Sequence, residues 1–484
     1  MLNLALALAS AALLILTFPN ADFVWLAPVA LTPLLVAVAR ESGALRRFLL
    51  GWAAGVVYWF GVCYWIEHDL AVYGGTGAFV GWLLFLLFCI IKALHLGVFA
   101  LGAGILMRRW WAIPGVAALW VAIEVTHGPL GFAWLALGNA GIDMGFPMRL
   151  VPFTGVYGIS FVFAMMSAAL ALASLRRPRR ELLWLAPVLL LAGLPPLPPA
   201  ERGQDTALLL QPDIAEDTEW TQQSADAMER RQVALSMRAA LGEKQPPSIV
   251  VWPEVPAPLY YYEDGRFRNY VDSLARTIRS YLLLGVVAHT PDGAPLNSAL
   301  LVSPEGAPVS RYDKVNLVPF GEFVPWPFKG ITEKVSSEAG DFAAGKRVVV
   351  SPVGSHKIGV FICYESVFPN FVRKFAASGA QVLFNISNDG WFGRTAARRQ
   401  HLLIVRMRAA ENRRWILRST NDGITATIDS AGRLRGTLPQ FREATSYTGF
   451  AWIDGLTVYT RFGDWFALVS ATIALICLLA SMLG

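Results

Sequence analysis

The first half of the chain is a series of long apolar stretches separated by short polar loops. A helix needs about 17–25 apolar residues to cross the hydrocarbon core of a bilayer. Stretches of about that length lie at 1–17, 22–39, 49–66, 79–107, 112–128, 150–174, 182–198 and 463–483. The first resembles a secretory signal at Ala9-Ser10-Ala11, but no basic segment precedes it and the triplet lies inside the stretch. We therefore predict a retained anchor and an eight-helix transmembrane bundle.

The segment from 205 to 455 has a different pattern, in which short β-branched or leucine-rich runs alternate with helical stretches. Such a mixture is typical of a layered α/β domain. Strands are predicted at 206–211, 248–252, 281–289, 299–303, 357–363, 381–385, 416–420 and 425–429. Helices are predicted near 222–241, 266–280, 366–377 and 395–412. We predict four parts: a seven-span bundle (1–198), the end of a Pro-rich linker (199–204), this domain (205–455) and an eighth span (463–483).

Composition supports this division. The 484 residues are 55% apolar and 16% charged, and the mean hydropathy is +0.46. Of the first 198 residues 18 are charged, against 58 of the remaining 286. These values exclude a disordered chain, a coiled coil and a wholly soluble enzyme. The net charge of +6 is modest and no basic stripe carries interleaved aromatics, so we expect no nucleic-acid partner.

The arginines of the loops predict how the bundle is oriented. Cytoplasmic loops carry an excess of Lys and Arg. Nine arginines follow even-numbered spans, and only Arg149 follows an odd-numbered one. Both termini are therefore predicted in the cytoplasm and residues 199–460 on the extracytoplasmic face, which in a bacterium is periplasmic. The nine are Arg40, Arg46, Arg47, Arg108, Arg109, Arg176, Arg177, Arg179 and Arg180.

Three polar residues lie within the predicted spans: Lys92, His95 and Glu124. Polar groups in lipid are costly and often functional, but hydrogen bonding between helices inside the bundle is the preferred explanation. The sequence shows no internal repeat, so an inverted-repeat transporter is not predicted.

The cysteines point to one reactive thiol. Cys63, Cys89 and Cys477 lie in apolar stretches, where a thiol acts as a small hydrophobe. Cys363 stands alone in the predicted exposed domain, at the end of a strand and before a helix. That position exposes a nucleophile and supplies backbone N–H donors. The alternative is an ordinary core cysteine.

Two further strand ends carry complementary chemistry. Glu254 follows the apolar run 248–252, and Lys314 follows Tyr312-Asp313 in a chain that uses lysine sparingly. Separately, each is explained as a helix cap or a solvated charge. Together with Cys363 they suit acyl transfer, because a thiol with a pKa of ~8.5 needs a base and the oxyanion needs a donor. The sequence thus predicts Glu254 as base, Lys314 as electrostatic partner and Cys363 as nucleophile.

The residues around these positions resemble a known family. Glu254 in W-P-E, Lys314 in Y-D-K and Cys363 in C-Y-E match the Glu-Lys-Cys signature of the nitrilase, or carbon–nitrogen hydrolase, superfamily. With eight spans, the chain resembles the apolipoprotein N-acyltransferase family of the bacterial inner membrane. The stretches similar to that family rather than to soluble amidases are 314–322, 388–393 and 418–424. The resemblance implies a nitrilase-like αββα sandwich on a membrane bundle.

The resemblance also implies substrates and supporting residues. A glycerophospholipid donates an acyl chain through a Cys363 thioester, and the amine of a diacylglyceryl-cysteine lipoprotein accepts it. Glu322 orients Lys314 or assists the base, while Tyr364 and Glu365 shape the turn behind the nucleophile. We expect a monomer without cofactor, and no metal, since no His/Cys cluster with ligand spacing occurs.

Aromatic residues near the strand ends are candidates for lipid binding: Trp220, Phe323, Trp326, Trp391 and Phe392. The last four lie in segments that we predict to be arms dipping into the membrane interface, with packing inside the domain as the alternative.

Two other functions remain open at this point. A membrane-tethered amidase of the same superfamily would use the same three residues on a small amide. A transporter or receptor would use the exposed domain only to bind a ligand.

Overall fold

The computed structural model describes residues 1–254, 259–323 and 342–483, and these form two compact units. The first unit comprises Met1–Ala71, Gly77–Leu197 and the segment from Thr457 onward. The second comprises Val72–Thr76 and Pro198–Leu456.

The first unit is helical. Its α-helices are α1 (Leu2–Thr17), α2 (Thr32–Arg40), α3 (Ala44–Val62), α4 (Trp65–His68), α5 (Gly77–Lys92), α6 (Leu94–Leu106), α7 (Ala112–Val125), α8 (Val151–Thr154), α9 (Val156–Ser174), α10 (Ala186–Leu189), α15 (Val458–Phe462) and α16 (Trp465–Leu483). Three helical spans in the described chain are long and apolar enough to cross a membrane: Gly77–Leu106, Val156–Ser174 and Trp465–Leu483. A fourth is present if the bent pair Ala44–Val62 and Trp65–Tyr73 counts as one span.

The eight predicted spans are therefore not confirmed as eight long helices. The stretch at 22–39 contains Pro28 and Pro33, and only Val24–Leu26 and Thr32–Arg40 are helical there. The stretch at 182–198 is a succession of short 3₁₀ and α turns. Proline lacks the N–H that a helix interior needs, so an apolar stretch that contains it often folds as several short pieces.

The second unit contains two six-stranded sheets. Its strands are β1 (Asp205–Gln211), β2 (Ile249–Val251), β3 (Tyr281–His289), β4 (Pro295–Val302), β5 (Pro308–Asp313), β6 (Val350–Val353), β7 (His356–Ile362), β8 (Val382–Ser387), β9 (Ile416–Thr420), β10 (Ala426–Ile428), β11 (Leu434–Thr437) and β12 (Ala444–Phe450). Its helices are α11 (Gln222–Leu241), α12 (Gly265–Ile278), α13 (Pro369–Ala377) and α14 (Ala397–Asn412). One sheet has the order β12-β1-β2-β3-β4-β5 and the other β11-β10-β9-β8-β7-β6.

Alternation along the strands sorts the side chains into two cores. Successive strand residues point to opposite faces of a sheet. In β1, Ala207 and Leu209 belong to the core that includes both sheets, whereas Leu208 and Leu210 pack with residues of α11 and α12. Helices α13 and α14 contribute to the core on the side of the second sheet. These layers confirm the predicted α/β architecture.

Within each sheet, the strand directions place the carboxyl ends of several strands at the same edge. Strands β1, β2 and β3 run parallel, and β5 also runs with them because β3–β4 and β4–β5 are antiparallel. Strands β7, β8 and β9 are parallel in the second sheet. The carboxyl ends of strands that run parallel in one sheet lie at one edge, where ligands commonly bind.

Candidate active site

Two of the predicted catalytic residues form a buried ion pair. Glu254 lies three residues beyond β2, and Lys314 directly follows β5. The Lys314 Nζ lies 3.0 Å from Glu254 Oε1, and their side chains are 1% and 7% exposed. A charge pair removed from water to this degree is stable only when its remaining hydrogen bonds are made.

Those hydrogen bonds come from Glu322 and Asn297. Glu322 Oε1 lies 2.9 Å from Lys314 Nζ, and its Oε2 accepts a 2.8 Å hydrogen bond from the Val318 N–H. The Asn297 amide donates to Glu254 Oε1 at 2.8 Å and to Glu322 Oε1 at 2.7 Å. Burial alone would lower the pKa of Lys314, but Glu254 and then Glu322 outweigh it and hold that pKa well above its usual value. Lys314 is therefore a permanent cation between two carboxylates.

Cys363 lies on a strained turn beside this pair. It directly follows β7, begins the 3₁₀ turn Cys363–Val367 and has a φ of 48°, in the left-handed region that non-glycine residues rarely adopt. Burial and then the charge of Glu254 raise the pKa of the Cys363 thiol, whereas Lys314 and a hydrogen bond with Ser387 lower it. The thiol thus stays protonated and needs a base to react.

Glu365 ties the cysteine turn to the lysine segment. Its carboxylate is fully buried and accepts four hydrogen bonds. Burial raises its pKa to about 7, although these donors favour the charged form. The donors are Ile362 N (2.7 Å) on the cysteine side, and Tyr312 Oη (2.6 Å), Val315 N (2.8 Å) and Asn316 N (3.1 Å) on the lysine side.

A second ionic centre lies behind the nucleophile. Asp389 Oδ2 lies 2.7 Å from Arg418 Nη2, and its Oδ1 lies 3.1 Å from His401 Nδ1. The other ring nitrogen of His401 lies 3.1 Å from the carbonyl oxygen of Cys363 and 2.9 Å from Ser366 Oγ. The side chains of Asp389, Arg418 and His401 are all fully buried. This centre therefore holds the backbone of the cysteine turn in place.

Tyr364 is buried on the turn, and its ring packs edge-on against Phe368 with centroids 5.3 Å apart. Trp220 packs partly buried against the core formed with α11 and α12. Phe323 is half-buried and pairs with Pro319 in an isolated β-bridge. Trp326 lies outside the described residues.

Of the neighbouring aromatic residues Trp391 and Phe392, the first lies at the surface and the second in the interior. Trp391 is 42% exposed and packs edge-on against Tyr73 of the same unit, with centroids 4.8 Å apart. Phe392 is only 8% exposed and packs against the His401 ring. The structure therefore favours the packing alternative for Phe392 and leaves Trp391 available to a ligand.

Sequence reasoning missed two amides at the site. Asn297 lies on the largely apolar strand β4, between Leu296 and Ser298, and Asn388 donates its backbone N–H to Glu254 Oε2 at 2.8 Å. A polar residue within an apolar strand was the available signal for Asn297. Within the described residues, no group of three or more His, Cys, Asp or Glu side chains is placed to hold a metal ion.

Comparison with known proteins identifies the family of the chain. Residues 204–451 match the carbon-nitrogen hydrolase family, and residues 10–169 match the apolipoprotein N-acyltransferase N-terminal domain. An apolipoprotein N-acyltransferase of Geobacter metallireducens is 32% identical over 96% of this chain and 92% of its own length. One of Ralstonia nicotianae is 32% identical over 92% of this chain and 87% of its own.

Among solved structures, an amidase from Nesterenkonia sp. aligns with a TM-score of 0.41 and 18% identity, over 54% of this chain and 95% of the amidase. The family match over the second unit confirms the predicted nitrilase-like fold. With relatives above 30% identity along nearly the whole length, the chain belongs to the apolipoprotein N-acyltransferase family.

Proposed function

We propose that Glu254, Lys314 and Cys363 are the residues with which this enzyme N-acylates bacterial lipoproteins. The observation that carries the proposal is the buried ion pair of Lys314 Nζ with Glu254 Oε1 at 3.0 Å. Both charges act on the thiol of Cys363, whose backbone is in the left-handed region. A nucleophile, a base and a fixed cation in one buried cluster are the components of acyl transfer through a covalent intermediate.

In the first half-reaction, Glu254 takes the Cys363 proton as the sulfur attacks the ester carbonyl of a phospholipid. The Lys314 ammonium stabilises the oxyanion of the tetrahedral intermediate. When the intermediate collapses, the C–O bond breaks, Glu254 returns the proton to the leaving alcohol, and a thioester remains on Cys363. Loss of one such oxyanion donor typically lowers the rate about 100- to 1,000-fold.

In the second half-reaction, the amine of a diacylglyceryl-cysteine attacks the thioester. The C–S bond breaks, an amide forms and Cys363 regains a proton. Both substrates are lipids, which explains why the catalytic unit is joined to apolar helices. The charge of the loops supports a periplasmic catalytic unit with both termini in the cytoplasm.

The test is to trap the thioester. The full-length protein in detergent micelles is incubated with phosphatidylethanolamine carrying an isotopically labelled acyl chain, and its peptides are analysed by mass spectrometry. We expect the acyl mass on the peptide that contains Cys363 and its removal by hydroxylamine. When a diacylglyceryl-cysteine lipopeptide is then added, the labelled acyl chain should move from Cys363 to the N-terminus of the lipopeptide.

Cys363→Ala should abolish both signals, whereas Cys477→Ala, in the last helix, should leave both unchanged. Release of labelled fatty acid without any N-acylated lipopeptide would favour a hydrolase instead. Absence of acyl on Cys363 in the wild-type protein would overturn the proposed nucleophile.

A further inference from the structure

We propose that Glu216 binds the ammonium group of the acceptor and takes up the proton that N-acylation releases. This inference rests on the proposed function and assigns a residue to its second half-reaction. Four points support it: the hydrogen bonds of Glu216, its lack of a cationic partner among the described residues, the close approach of Gly390, and the proton balance of the reaction.

Glu216 lies beside the catalytic carboxylate. It belongs to the loop after β1, and its Oε2 accepts a 3.1 Å hydrogen bond from the Asn388 side chain. Its Oε1 accepts one of 3.1 Å from the side chain of Asn421. The backbone N–H of the same Asn388 donates to Glu254 Oε2 at 2.8 Å. One asparagine therefore joins the two carboxylates, which are close enough to repel each other.

Gly390 lies close to the Glu216 side chain. A Cβ added to Gly390 would overlap the Glu216 carboxylate. Glu216 is thus held by two amide donors and by a glycine that permits its close approach, yet it remains partly exposed.

Within the described ranges, Glu216 differs from its acidic neighbours in having no cationic partner. Glu254 and Glu322 contact Lys314, and Asp422 Oδ2 lies 2.7 Å from Arg398. In the described part of the chain, no Lys or Arg forms an ion pair with Glu216. Asp422 is nine-tenths buried, and its Oδ1 has no hydrogen-bond partner there.

The charges around Glu216 therefore favour a bound cation. Burial first, then Asp422 and Glu254, raises its pKa to about 7, whereas the amides of Asn388 and Asn421 lower it. An incoming ammonium would relieve this excess of negative charge and could also use the unpartnered oxygen of Asp422.

Proton balance distinguishes the two half-reactions. Acylation moves one proton from the thiol to the leaving alcohol and releases none. In the second step an ammonium with a pKa near 8 becomes an amide and loses two protons. One returns to Cys363 through Glu254, and the other needs a second acceptor. A carboxylate with a pKa near neutrality, beside Glu254, fits that requirement.

The experiment measures the two half-reactions separately in Glu216→Gln, with the full-length protein. Acyl-enzyme formation is followed from labelled phosphatidylethanolamine, and transfer is followed after adding diacylglyceryl-cysteine lipopeptide. We expect acylation near the wild-type rate and transfer slowed about 100-fold at pH 7. The deficit should shrink towards pH 9, because the amine then arrives already neutral.

Glu219→Gln changes an exposed carboxylate in the same loop and should alter neither step. Glu216→Asp keeps the charge and should recover part of the transfer rate. Equal slowing of both steps in Glu216→Gln, or a deficit that is the same at every pH, would overturn the role of Glu216. Failure of the wild-type protein to acylate Cys363 would instead overturn the proposed function itself.

Discussion

The two buried ionic centres of the α/β unit contain different sets of charges. In the first, the ammonium of Lys314 lies between the carboxylates of Glu254 and Glu322. In the second, the carboxylate of Asp389 lies between the guanidinium of Arg418 and the imidazole of His401. Burial and then Arg418 lower the pKa of His401, so the ring is neutral at neutral pH and the second centre is balanced.

This difference determines which centre can exchange a proton. When Glu254 takes up a proton, Glu322 still neutralises Lys314, so no buried charge is left unpaired. If Asp389 took up a proton, Arg418 would lose its counter-charge. Burial alone would raise the pKa of Asp389, but Arg418 and His401 outweigh it and hold that pKa below its usual range. The first centre suits chemistry, and the second suits support of the cysteine turn.

The largest effect is expected from removing the shared cation. Lys314→Met leaves two adjacent carboxylates without a counter-charge and removes an oxyanion donor. Single-turnover acylation, measured as acyl mass on Cys363, should fall at least about 1,000-fold. Lys346→Met, at an exposed lysine, is the matched control. A fall of less than tenfold would mean that Lys314 is only a structural partner.

The second centre should affect stability more than chemistry. Asp389→Asn leaves Arg418 buried without its counter-charge, which typically costs about 3–5 kcal/mol of unfolding free energy. We expect a clear drop in melting temperature and, below that temperature, a smaller loss of acylation than in Lys314→Met. Asp292→Asn, in an exposed turn, provides the control. An unchanged melting temperature with equally severe loss of acylation would place this centre in the chemistry.

The smallest effect concerns the resting thiol. In a variant whose other three cysteines are alanine, iodoacetamide should alkylate Cys363 slowly. Because the pKa of Cys363 is raised, the thiolate fraction should still rise about tenfold per pH unit beyond pH 9. Free cysteine, with its pKa of ~8.5, levels off in the same range. A plateau for Cys363 at or below pH 8 would show that Lys314 activates the thiol without a base.

The sequence allowed Glu254, Lys314 and Cys363 to be proposed as the reactive centre because each lies at the end of a strand. A role for Asn297 could not be assigned from the sequence, because it depends on the contacts of Asn297 with Glu254 and Glu322, which are distant along the chain. Glu216 could not be singled out either, since the loop 212–219 holds four acidic residues and only the fold decides which one turns inward. Residues whose function depends on distant neighbours carry little local signal.

Prediction of the fold failed where local pattern and final packing diverge. Strands β3 and β9 and helix α11 have the predicted bounds. Strand β12 was missed because it is mostly half-buried and largely polar, and its partner β1 lies more than 200 residues away. In the helical unit, apolar composition predicted uninterrupted spans where prolines divide the chain into shorter pieces.

The antiparallel pairing of β12 with β1 has a consequence for protein engineering. Asp205 lies opposite Phe450, so the chain enters and leaves the two sheets at one corner, with backbones about 5 Å apart. Segments whose two ends meet tolerate excision and insertion into foreign hosts. Residues 198–456, which make up this unit apart from Val72–Thr76, are therefore expected to tolerate insertion into a loop of an unrelated protein.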